Sequence, residues 1–305
     1  MFHKLFQRKN HANTFDPWEK ASTAKISQAV QDSRRYLDDS DYQLPKDEEE
    51  DFRLDFQHHA LFHAIGNHYI APIHPPLPLI LDVGTGTGIW ASEMARSFSD
   101  SLVVGVDLSE RSFKFPTQEN CLLRKGNVVT GLPFPDAFFS FTHQRLLVAG
   151  ITAENWPRVI HELVRVTRVN GWIELVEVGS LTDGAGPATS RMQEFLITVG
   201  KTMGFDAEII RHLGEMLRHE GLQGVETHQI LIPVGEWAGR VGQMMKQDLL
   251  GAVNALRGRY CGQAGIAGEE FDRIVREMAQ EWEVYRPVCT FYASYGKICV
   301  ETFKG

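Results

Sequence analysis

The sequence predicts a doubly wound α/β fold, a largely parallel sheet with helices on both faces. Three observations carry that prediction. Apolar, β-branched runs alternate with helical patterns through the middle of the chain, as βαβ units require. The first run, Leu79-Ile-Leu-Asp82-Val, stops at an acid, passes through Gly84-Thr85-Gly86-Thr-Gly88 and enters a helical pattern at Ile89. The second, Ser101-Leu-Val-Val-Gly-Val-Asp107-Leu108, also ends in an acid.

Taken in order, residues 1 to about 45 are polar and weakly patterned, with one helix expected over 18–36. That segment reads as a lid, an oligomerisation arm or a partly disordered tail. An acidic turn follows at Lys46-Asp-Glu-Glu-Glu-Asp51, and a second helix is expected over 48–69. Its apolar positions Phe52, Phe56, Ala60, Phe62 and Ile65 recur near helical spacing. The proline-rich stretch 71–78 breaks it. Beyond the loop and its helix (89–98), strands are expected over 101–107, 121–124, 138–145 and 172–178. The helix over 156–168 is stopped by Asn170-Gly171. Helices over 189–203 and 207–220, a strand over 225–233, long amphipathic helices over 236–260 and 269–284, and a last strand over 290–300 complete the chain.

Composition excludes several function classes. The 305 residues can bury a large core, and 43% hydrophobic with 23% charged residues suits a soluble globular chain. A net charge of −8 without clustered Lys and Arg argues against nucleic-acid partners. No run of about 18 apolar residues exists, and the N-terminus is too polar for a signal segment. Four cysteines without a C-x-x-C pair are expected as free thiols in a reducing cytoplasm.

The loop identifies a ligand type. Glycine is needed where a backbone turns sharply or must approach a ligand with no Cβ in the way. The helix start beyond it offers unpaired N–H groups to an anion. A dinucleotide fingerprint needs a glycine at position 89, which is Ile, and a P-loop needs a Lys-Ser/Thr pair that is absent. A βα turn with no ligand would also be glycine-rich. Against that, a ribose-binding carboxylate belongs at the tip of the second strand, about 20 residues after the glycines, and Asp107 stands there.

The pattern D-x-G-x-G-x-G resembles motif I of the class I S-adenosylmethionine (SAM) methyltransferases. The order Gln57-His-His, Ala71-Pro-Ile, Asp82 to Trp90, Gly105-Val-Asp-Leu-Ser109, His143-x-Arg145, Asn155-Trp156 and Gly171-Trp-Ile-Glu-Leu-x-Glu177 looks like the LaeA-like subgroup. These motifs span about residues 53 to 178. The subgroup includes regulators of secondary metabolism and enzymes that methylate C, N or O atoms of natural products. The resemblance implies a Rossmann-like seven-stranded sheet of order 3-2-1-4-5-7-6 with an antiparallel last strand. It implies N-terminal helices (1–78), a SAM-binding core (79–235), a helical substrate cap inserted between the last two strands (236–288) and a final core strand (289–305). It implies SAM as cofactor and S-adenosylhomocysteine as product, held by Asp82, Gly84, Thr85, Gly86 and Gly88 of the loop. Asp107, Leu108, Asn127, Val128 and His143 extend that set. Two departures stand out: Ser140 where strand four usually carries Asp, and Asn127 where an acid usually meets the adenine amino group.

Methyl transfer needs alignment and exclusion of water more than a protein nucleophile. Where the acceptor must lose a proton, a His or Glu base helps. His143, ending strand four at the ligand edge, and Glu177, ending strand five, are the catalytic candidates. Glu174 is taken to share the strand face of Glu177, with one of the two facing the pocket. Arg145 either orients a carboxylate or pairs with a neighbouring acid. His58, His59, His63, His68 and His74 form the densest histidine cluster, and His59 and His63 have metal-ligand spacing. No H-E-x-x-H pattern or supporting Cys/Asp set accompanies them, so helix packing or a pocket wall is favoured and no metal is expected. Trp237, Trp282, Tyr285, Phe291, Tyr292 and the pair Met244-Met245 are offered by the cap, as core or as an apolar substrate wall. The expected partner is a small-molecule acceptor, bulky and partly apolar. Neither nucleic acid nor membrane is expected, and self-association through the N-terminal segment stays open. A regulatory protein keeping the methyltransferase fold is the alternative reading.

Overall fold

The strands β1 (Leu79–Val83), β2 (Leu102–Asp107), β3 (Cys121–Lys125), β4 (Phe139–Arg145), β5 (Thr167–Leu181), β6 (Gln223–Pro233) and β7 (Val288–Lys297) form one sheet. Their order is β3-β2-β1-β4-β5-β7-β6. Neighbours from β3 to β5 are parallel, and β7 runs antiparallel between β5 and β6. This is the expected Rossmann-like topology. The computed structural model describes residues 43–299 except 111, 112, 115–117 and 183, so the helix expected over 18–36 lies outside the described residues.

The chain works outward from β1 to β3 and then returns to β4 on the other side of β1. The crevice above the β1/β4 boundary is therefore the switch point at which doubly wound sheets bind ligands. Helices α1 (Glu48–Ile65) and α2 (Ile89–Ser97) precede and follow β1. Trp90 and Met94 of α2 pack on Ile80, Val103 and Phe141 on one sheet face. On the other face, α3 (Trp156–Val166) and α5 (Leu213–His219) cover Leu81, Val83 and Leu175 with Ile160, Leu163 and Leu213.

The helices α6 (Gly239–Ala264) and α7 (Gly268–Tyr285) fall between β6 and β7 in the chain. They join α4 (Pro187–Thr202) and α1 in a separate apolar cluster, in which Ala60, Leu61, Met192, Met245, Phe271, Trp282 and Phe291 meet. Of the residues offered as an apolar wall, Trp282, Phe291 and Met245 are thus core, whereas Tyr285 is half exposed. Ala255 and Leu256 of α6 pack with Leu44 and Leu108, just past the carboxyl end of β2. No helix among the described residues is long and apolar enough to cross a membrane.

Several elements differ from the pattern reading. Helix α1 stops at Ile65 because Gly66 adopts φ 78° and returns its N–H to the Phe62 carbonyl. Its apolar positions only partly form its buried face: Ala60 is buried but Phe52 is 49% exposed, while Glu50, Asp51, His58 and Leu61 are buried as well. Asn170 does not stop a helix. Helix α3 already ends at Val166, and Asn170, at φ 64°, bends the long strand β5 near its start. The stretch expected as one helix over 207–220 is a 3-10 turn (Ala207–His212) followed by α5.

Candidate active site

All three loop glycines adopt positive φ: 73° at Gly84, 57° at Gly86 and 87° at Gly88. Side chains are strained there, which explains a glycine at every second position. At Gly84 a Cβ would also lie 2.6 Å from the Leu147 side chain. The loop is tied to β2 through Gly84 N–H and Thr85 N–H, both donated to the Val106 carbonyl. Thr85 Oγ1 donates to Asp82 Oδ2 (2.6 Å), and Gly105 opposite has no Cβ to displace it. Helix α1 lies against the loop, with Thr87 Oγ1 donating to Asp55 and Leu54 near Gly86.

Strand register places Asp82, His143 and Glu174 side by side on β1, β4 and β5. His143 Nδ1 is 3.0 Å from Asp82 Oδ1, and Nε2 faces Glu174 Oε1 at 3.9 Å. Trp90 stacks on the imidazole with centroids 3.9 Å apart and planes 3° from parallel. Glu174 Oε2 accepts the Ile70 and Ala71 N–H groups, pinning the chain after α1, and burial pushes the Glu174 carboxyl up. His143 is 1% exposed and borders neither cavity at the loop. The expected base at the ligand edge instead lies beneath the loop, braced between two acids.

Glu177 departs from expectation as well. Three residues from Glu174 on a strand of period two, it points to the opposite face. There both its oxygens accept backbone N–H groups, from Leu147 (2.9 Å) and Val148 (3.1 Å). It holds the β4–α3 loop and borders neither cavity. Burial pushes its carboxyl up to about 8 although both N–H groups favour the charged form.

Two cavities abut at the loop. The first, partly open to solvent, is lined by Leu54, Gln57, Asp82, Thr87, Trp90 and Arg145. The second is lined by Leu108, Asn127, Val128, Val129 and Ile151. Lys46, Gly84, Asp107 and Leu147 border both. Asp107 ends β2 as expected, with Oδ2 accepting Gly86 N–H and Oδ1 accepting Ser109 N–H. Lys46 Nζ lies 3.1 Å from Oδ1 in a nearly buried pair that sequence reasoning missed. Asn127 Oδ1 accepts the Val129 N–H and has a second lone pair, and the residue borders the second cavity. The Ser140 departure falls within the sheet: its buried Oγ accepts the Leu79 N–H at the start of β1. Gly88 borders neither cavity and caps α2.

The histidine cluster resolves into a chain of contacts. Arg145 Nη2 donates to His58 Nδ1 (3.1 Å), so His58 carries its proton on Nε2, which meets Glu93 Oε2 at 2.8 Å. Burial, with Arg145 beside it, lowers His58 to about 4, keeping the ring neutral. His58, His68 and Glu93 converge within metal-ligand distances. With both His58 nitrogens engaged in this way, that ring presents no lone pair to an ion. His59 and His63, the pair singled out by spacing, are not in the convergent group.

These residues suit a nucleoside with a charged head: two carboxylates 25 residues apart in sequence brought to one crevice, a glycine cradle that a Cβ would fill, and an apolar second cavity. Residues 80–171 match the family described as a methyltransferase domain. Methyltransferase pytC of Aspergillus terreus is 30% identical, over 70% of this chain and 69% of that protein. N-methyltransferase sirN of Leptosphaeria maculans is 26% identical over 86% of this chain and 96% of that protein. The secondary metabolism regulator laeA of Fusarium oxysporum f. sp. lycopersici is 32% identical over 45% of this chain and 44% of that protein. The chain belongs to the class I SAM-dependent methyltransferases. It is an enzyme type whose cofactor is SAM.

Proposed function

We propose that the chain methylates a nitrogen atom of a small, partly apolar specialised metabolite. The observation that carries this reading is the lining of the first cavity. Apart from Asp82 and Asp107, no carboxylate or imidazole borders it among the described residues. An acceptor that must be deprotonated by the protein finds no base there, whereas a neutral amine brings its own lone pair. The name of sirN, an N-methyltransferase, agrees with that choice.

When bound, SAM supplies a methyl group on a positively charged sulfur. On this reading Asp82 accepts the ammonium of the cofactor's amino-acid head, and Asp107 accepts the ribose hydroxyls. Leu108 and Val128 flank the adenine, and Asn127 accepts its amino group. His143 is a positioning residue that holds Asp82, and Glu177 steadies the loop carrying Leu147. Leu54, Leu146 and Leu147 exclude water from the reacting centre. Residues 236–288 act as the acceptor's cap. The similarity to laeA carries a second reading, a regulator with the same cofactor site.

Calorimetry with S-adenosylhomocysteine tests the cofactor assignment: wild type binds at micromolar levels, and Asp107→Ala weakens binding about 10–100-fold. Unchanged affinity in the variant refutes the ribose role. Turnover of labelled SAM with amine-bearing metabolites supports the enzyme reading. Cofactor binding without turnover on any amine, phenol or carbon acid offered favours the regulator.

A further inference from the structure

Arg145 is unusual among the cations of the described chain. It ends β4 on the same face as His143, and burial lowers its guanidinium below the ordinary range although the charges of Asp82, Glu174, Asp248 and Glu93 act to raise it. Yet no carboxylate lies within ion-pair distance of it among the described residues, and its hydrogen bond there is the one to neutral His58. An arginine has five N–H donors in a planar fork. Arg145 borders the first cavity together with Asp82, Gly84 and Thr87. Lys46, the other cation bordering that cavity, is already paired with Asp107.

The cofactor's amino-acid head is a zwitterion. An acid that takes its ammonium calls for a cation or a set of N–H groups for its carboxylate, and the cavity at Asp82 offers one uncommitted fork. We propose that Arg145 clamps the carboxylate of the bound cofactor's amino-acid head, held in place by His58 and, behind it, Glu93. This rests on the SAM reading of the site and deepens it. It also gives the histidine cluster of α1 a purpose. Neutral His58 accepts from the guanidinium without neutralising it, and Glu93 fixes the tautomer that makes His58 an acceptor. A carboxylate in the place of His58 would cancel the charge that the ligand needs.

The test compares ligands that differ by that one carboxylate. Binding of SAM and of decarboxylated SAM is measured by calorimetry for wild type, Arg145→Gln and Arg145→Lys. Wild type should prefer SAM at least 10-fold, from charge-assisted bonds that only SAM makes. Arg145→Gln should lose that preference while keeping its affinity for decarboxylated SAM within about 3-fold, a readout that also certifies the fold. Arg145→Lys should retain part of it. His58→Phe should shrink the preference in the same direction, as a positioning residue acting through Arg145. An undiminished preference in Arg145→Gln overturns the proposal, and so does an equal loss of both ligands. Failure of wild type to bind SAM at all would instead remove the cofactor reading on which the proposal stands.

Discussion

Two acids on one strand show how far a residue's role depends on which way it points. Glu174 and Glu177 both end up fully buried on β5, yet one meets His143 and the other two backbone N–H groups on the opposite face. Glu177 titrates at about 8 in the folded protein, against 4.5 for the ordinary carboxyl. Between those values the folded state binds the extra proton, so its stability falls as pH rises through the interval. Glu177→Gln has no such slope. Its amide must also turn one N–H toward Leu147 or Val148, at a cost of about 1–3 kcal/mol. Urea titrations should therefore show the widest gap between wild type and variant near pH 5 and a narrower one near pH 8.5. A gap that is constant across this range would mean that Glu177 does not titrate there.

At the scale of elements, the segment 43–46 straps the cofactor crevice. Gln43 N–H donates to the Ala149 carbonyl, Leu44 packs between Leu108 and α6, and Lys46 reaches Asp107. On the proposed cofactor reading, the Lys46 ammonium and the ribose hydroxyls want the same carboxylate. Removing it by Lys46→Met leaves Asp107 buried with two backbone donors, destabilising the ligand-free protein by about 3 kcal/mol. Ribose then meets no competitor. The variant should melt lower than wild type without ligand and gain more from S-adenosylhomocysteine in a thermal-shift titration. A smaller gain would make Lys46 a cofactor ligand instead. Helix α1 illustrates why such contacts were illegible in the sequence. Its phenylalanines have helical spacing, but the helix buries Ala60 and Leu61 in the apolar cluster and Glu50, Asp51 and His58 among polar partners, so two inward faces of different character share one helix. Periodicity finds apolar stripes and misses a polar roof.

Across the whole molecule, the inserted helices share one apolar cluster with α1, α4 and β7, so they are packed as part of the fold and not hung from it. Trp282, 1% exposed and donating Nε1–H to Thr189, sits in that cluster. Trp282→Ala should cost about 3–5 kcal/mol, and the insertion should melt with the sheet in a single transition by near-UV and far-UV dichroism. Two separated transitions would mark the insertion as an independent unit. The family resemblance supplied the strand order and with it the crevice. The alternation of strands and helices was open to a reader of the sequence. So were Asp82, the three glycines and Asp107, because positive φ and strand-terminal acids are local demands that leave a fixed spacing. The partnerships were not. Asp82 with His143, Arg145 with His58, Lys46 with Asp107 and Glu177 with Leu147 join segments far apart in the chain, and no period or spacing encodes them. The sequence by itself determined the glycine loop between an acid-tipped strand and a helix, because its positive φ angles and spacing are local. Only tertiary structure decided that neither predicted base borders the two cavities while an arginine and a lysine do, since register between strands and the packing of α1 set which side chains meet.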